Sequence, residues 1–173
     1  MTSKLRHIAA CFAVLAVTAS PTFTQPSIPN GVSGTISDFS AGGSWYITAE
    51  WSLHVKGQSG KADFSAALTM VRSDLWILTT SADQASETVR GFHTHHVTIA
   101  DGNVTSLANG FRVSGTAVIT GDGNAAGFSP APVQVDITGG NAVTFSNIKV
   151  TFAGGAVGHF GAQGLDGVVV TVH

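Results

Sequence analysis

Between residues 45 and 55, apolar and polar side chains alternate without a break. Trp45, Ile47, Ala49, Trp51, Leu53 and Val55 fill one set of positions, and Tyr46, Thr48, Glu50, Ser52 and His54 fill the other. A period of two puts each set on its own side of an extended chain, so the segment predicts a half-buried strand. Further β-type runs follow at short intervals: Ala62 to Arg72, Leu75 to Thr80, Val89 to Ile99, Phe111 to Thr120, Val133 to Thr138, Val143 to Phe152 and Val168 to Val172. The pairs Asp101-Gly102, Asp122-Gly123 and Gly139-Gly140 stand between runs and suit tight hairpin turns. Only Ser81 to Thr88 suits a turn of helix, and without helices between the strands βαβ units are excluded. The pattern predicts an all-β fold, an antiparallel β-barrel or barrel-like meander of about eight or nine short strands, with a β-sandwich as the alternative.

The first residues follow a different rule. Lys4 and Arg6 precede an unbroken apolar run from Ile8 to Val17, and Val17-Thr18-Ala19 offers small residues for cleavage. This is the layout of a secretory signal peptide, too short for a transmembrane anchor. The expected division is a signal peptide over 1–19, an extended leader with three prolines over 20–31, and one all-β domain over 32–173. The expected location is secreted, extracellular or periplasmic. Cys11, the only cysteine, falls inside the apolar run, so the mature chain folds without a disulfide and relies on core burial.

Charge narrows the function classes. Loss of Lys4 and Arg6 leaves six basic against ten acidic residues, a formal charge of −4. No basic stripe is present, which argues against nucleic acid. No amphipathic basic helix or later apolar span argues for a stable membrane anchor. No Gly-x-Ser-x-Gly elbow or mature cysteine supports nucleophilic catalysis. Asn103-Val104-Thr105 is a formal glycosylation sequon.

Histidine is the informative residue. Three of the six in the mature chain lie in Gly91-Phe92-His93-Thr94-His95-His96. On a strand His93 and His95 share a side, which continues through Val97 and Ile99 and so points inward. Two such imidazoles can chelate one ion, zinc or copper. A third ligand must come from elsewhere, and His159, on the glycine-flanked loop Gly154 to Gly161, is the candidate. Three imidazoles with an open fourth position match catalytic zinc more than structural zinc, and in that arrangement the metal lowers the pKa of bound water toward ~7. His96 points the other way unless a bulge re-aims it. Glu50 and His54, which share a side, are candidates for a supporting carboxylate or an alternative ligand, as is His96. Trp45 and Trp51 fall on the apolar side and read as core, whereas Tyr46 is the best aromatic candidate for ligand contact.

Gly91-Phe92-His93-Thr94-His95 resembles, over five residues, the first copper-ligand segment of the copper–zinc superoxide dismutases, and Gly158-His159-Phe160 is faintly similar to a second motif of that family. The resemblance implies a small secreted β-barrel with histidine-bound copper. The separation of the two segments, the lack of a cysteine pair, and the missing zinc-ligand loop and arginine-bearing C-terminal segment all depart from the family pattern, so membership is not assigned.

Two functional classes follow. The first is a secreted metal-dependent enzyme, a hydrolase, lyase or oxidoreductase, with zinc or copper on His93, His95 and His159 and a small extracellular substrate. The second is a non-catalytic binding or surface module for a carbohydrate or small apolar ligand, with structural histidines.

Overall fold

The computed structural model describes residues 27–73, 92–122, 125–139 and 145–173. The expected signal peptide, most of the expected leader, the expected run Leu75 to Thr80 with Trp76, and the helical turn expected at Ser81 to Thr88 lie outside the described residues.

Eight strands form one closed antiparallel barrel in sequential order. They are β1 (Gly31–Phe39), β2 (Trp45–Val55), β3 (Lys61–Arg72), β4 (His93–Leu107), β5 (Gly110–Gly121), β6 (Phe128–Thr138), β7 (Asn147–Phe152) and β8 (Leu165–Val172). β8 returns to pair with β1, so every strand has two neighbours and no sheet edge remains open. The meander expected from the short connections is therefore the fold, rather than the sandwich. Among the described residues one α-helical turn, α1 (Val157–Phe160), lies between β7 and β8.

The alternation in β2 reads as expected. Ile47, Ala49, Trp51, Leu53 and Val55 are buried, and Glu50, Ser52 and His54 are exposed. Phe64, Leu68 and Met70 of β3, Phe111 and Ile119 of β5, Val135 and Ile137 of β6 and Ile148 and Val150 of β7 join them inside. Burial of this apolar surface is the main favourable term in a domain without cross-links. Ile28 packs against the same core, and the amide of Asn30 donates to the carbonyl of His173, so the chain joins the barrel just before β1.

Two local readings change, and one strand joins those expected. Asp101-Gly102 is not a hairpin turn but a bulge within β4, where the register against both β3 and β5 slips. Asp101 takes a left-handed φ of 55°, its amide donates to an Asp63 carboxylate oxygen, and Lys56 bridges both carboxylates at 2.8 and 2.6 Å. Gly102 is buried where a Cβ would lie 2.7 Å from Val113 and 2.9 Å from Ile99, so glycine alone permits this approach. The extra residues bend the strand, as closure of a barrel requires. The hairpin itself turns at Ala108 and Asn109, between Leu107 and its partner Gly110. Secondly, β6 starts at Phe128 rather than Val133, through Pro130 and Pro132. Both prolines are exposed, and a register shift against β5 absorbs the missing donor of Pro130. In addition, Gly31 to Phe39, which shows no clean alternation, is a full strand held from both sides by β2 and β8.

The up-and-down order also sorts the ends. Even-numbered strands begin, and odd-numbered strands finish, at the same end of the barrel. That end gathers Trp45, the start of β4, the end of β5, Phe128, Phe152 and α1.

Candidate metal centre

Alternation at the start of β4 continues the inward side from Val97 and Ile99 through His95 to His93. His95 is buried, 1% exposed, and His93, one pleat nearer the rim, is half-buried. The third imidazole arrives from α1. His159 is not on a glycine loop but on a helical turn following the 3-10 turn Gly154–Ala156. Ala156 and Phe160 are fully buried, and the Phe160 ring stacks on Phe152 with centroids 4.3 Å apart. These anchors aim His159 across the barrel mouth.

The three rings converge through their Nε2 atoms. His159 Nε2 lies 3.2 Å from that of His93 and 3.1 Å from that of His95. Each ring offers a ligand atom within 4.8 Å of the other two, so the cluster is close enough to hold a metal ion. Tetrahedral coordination with Zn–N near 2.0–2.1 Å places nitrogens ~3.3 Å apart, close to the spacing observed.

Hydrogen bonding fixes one ring. His95 Nδ1 lies 3.3 Å from the carbonyl oxygen of Thr120, which can only accept, so Nδ1 carries the proton. The Nε2 of neutral His95 is then a bare lone pair aimed into the cluster. A backbone carbonyl on the far nitrogen is the usual support for a metal-binding histidine. Electrostatics act the same way. Burial, and then the neighbouring rings of His95 and His93, push His159 down to about 4. Burial, followed by His93, also lowers His95. Both rings are neutral near pH 7, the state that binds a metal.

Aromatic rings enclose the trio. Trp45 meets His93 edge-on at 4.8 Å and approaches His159 at 6.1 Å. Phe128 lies 5.3 Å from His95 and 5.4 Å from His159, and Phe160 lies 5.4 Å from His95. Trp45 and Phe128 are half-buried, whereas Phe160 and Phe152 are buried beneath.

The other candidates lie elsewhere. Glu50 and His54 are exposed on the outer side of β2, with the barrel wall between them and the cluster. His96 is exposed on the outer side of β4 and pairs with Asp122 at 2.8 Å. The Tyr46 hydroxyl shares a 2.7 Å hydrogen bond with Ser37, and its ring lies 5.2 Å from Phe39, on the side of β2 that faces away from the barrel interior. Sequence reasoning missed the Thr120 carbonyl and the rings of Phe128 and Phe160. Thr120 pairs with His96 across β4 and β5, a register that no local pattern announces.

No known family model, curated protein or solved structure matches the chain.

Proposed function

We propose that the barrel mouth is a mononuclear zinc or copper centre held by His93, His95 and His159, in a protein exported by cleavage after Ala19. The fourth position is left for water or substrate, and the reading is a metal-dependent hydrolase, lyase or oxidoreductase acting on a small extracellular molecule. One observation carries it: His159 Nε2 meets the Nε2 atoms of His93 and His95, on a separate chain segment, at 3.2 and 3.1 Å, with all three ligand atoms within 4.8 Å of one another and the far nitrogen of His95 held by a carbonyl. A single Nε2–H on His159 cannot point linearly at both neighbours, whereas one ion can take a lone pair from all three. A bound ion would lower the pKa of its water toward ~7 and supply a nucleophile. The chain's residues hold His95 and His159 neutral and orient the three imidazoles, and the aromatic lining limits access of bulk water.

Elemental analysis of the purified mature protein tests the proposal. One equivalent of zinc or copper is expected in the wild type, and a negligible amount in a His93→Ala, His95→Ala double variant. Equal, negligible metal in both after loading and gel filtration refutes it. In that case the binding-module reading has one feature in its favour, a groove of about 720 Å³ lined in part by Asn103, Ser114, Thr116, Gln134 and Thr151.

A further inference from the structure

We infer that the fourth position of the three-histidine centre takes a carboxylate carrying an apolar tail. The inference rests on the metal reading and adds the chemistry of its ligand. Charge supplies the first half of the argument. The ligand set consists of three neutral imidazoles, so a bound divalent ion keeps its full charge. Around it stand the rings of Trp45, Phe128 and Phe160. A charge in such surroundings is costly unless a counter-charge accompanies it. The described carboxylates at this end are engaged elsewhere: Asp122 is turned to the outer side and pairs with His96, Asp38 accepts from the amides of Phe39 and Asp166, and Asp166 pairs with Lys149. A monoanionic ligand on the ion meets the need at the point where the charge sits.

The second half comes from access. Beneath the cluster, His95, Phe160 and Phe152 are buried and close the deep side. The half-buried groups are His93, His159, Trp45 and Phe128, so solvent reaches the ion's position among these four. Trp45 stands at the His93 edge and Phe128 at the His95 edge, and both contact His159. A ligand whose head binds the ion therefore leaves its remaining atoms against two aromatic rings. An aliphatic or aromatic tail gains from that contact, and a hydrated anion such as phosphate or sulfate loses water without replacement.

Cobalt(II) in place of the native ion provides a visible spectrum that responds to the fourth ligand without any assay of turnover. The cobalt-loaded protein is titrated with acetate, hexanoate, benzoate, hexanol and inorganic phosphate. Hexanoate and benzoate are expected to change the spectrum and to bind about ten-fold more tightly than acetate, a fraction of the gain from burying four methylenes. Hexanol and phosphate are expected to leave the spectrum unchanged over the same range. Trp45→Ala and, separately, Phe128→Ala bring the hexanoate affinity toward that of acetate, with cobalt content measured in the same samples. Cobalt bound at one equivalent with equal affinity for acetate and hexanoate, or with preference for phosphate, overturns the inference and leaves the metal centre standing. Failure to bind cobalt, with negligible zinc and copper after loading, overturns both.

Discussion

Replacing Phe160 by alanine should separate the forces that hold α1 from those within it. The turn has four residues and is closed by a hydrogen bond from the Gly161 amide to the Val157 carbonyl. A helical nucleus of this size is unfavourable alone, because several dihedral angles are fixed for one bond. Its position must therefore come from burial. Phe160 is 0% exposed, and its ring lies 4.3 Å from Phe152, 5.7 Å from Phe128 and 5.4 Å from His95. Truncation of a fully buried phenylalanine costs about 3–5 kcal/mol, the lost transfer free energy plus the cavity left behind. Set against a typical domain stability of about 5–15 kcal/mol, that is a large fraction. For a barrel of this size it corresponds to a fall in Tm of about 6–20 °C. Urea unfolding of the metal-free protein, followed by tryptophan fluorescence, measures the loss. Phe160→Leu should recover most of it, since the volume is largely kept. Metal affinity should fall further in Phe160→Ala than in Phe160→Leu, because His159 neighbours the altered residue on the same turn. A loss below about 1 kcal/mol would refute the argument, since surface changes alone produce effects of that size.

Three other outcomes follow from the geometry. In metal-free protein, stability should decline as pH falls from 6.5 to about 4, because the unfolded His159 binds a proton throughout that window and the folded one does not. His95 adds to the decline with the same sign, the total should be about 1–3 kcal/mol after allowance for solvent near the half-buried ring, and His159→Gln should flatten the profile of denaturation midpoints. Trp51→Phe should cost less than about 1 kcal/mol by chemical denaturation, because the buried Trp51 Nε1 has no hydrogen-bond partner among the described residues and its removal offsets the lost ring area; a loss above about 3 kcal/mol would contradict this. Gly102→Val should destabilise by several kcal/mol or prevent folding, since its Cβ would meet Val113 and Ile99 inside the barrel, and an unchanged thermal midpoint would refute the role given to the bulge.

Local chemistry along the chain was enough to announce the strands with clean alternation, above all β2, and the inward direction of His93 and His95. A period of two is a property of the backbone itself, so side-chain facing can be read one residue at a time. The same rule turned Glu50, His54 and His96 outward. Closure of eight strands rather than a two-sheet sandwich, the bulge at Asp101-Gly102 and the strand through Pro130 and Pro132 depend on pairing with neighbours, which local pattern does not contain. His159 stands 64 residues beyond His95, and its arrival at 3.1 Å depends on two things no short window holds. Strand parity puts α1 at the mouth where β4 begins, and burial of Ala156 and Phe160 points the imidazole inward. The residue types for a metal centre were written in the chain, and their meeting was decided by packing, because convergence of distant segments is a property of the folded core and not of any stretch within it.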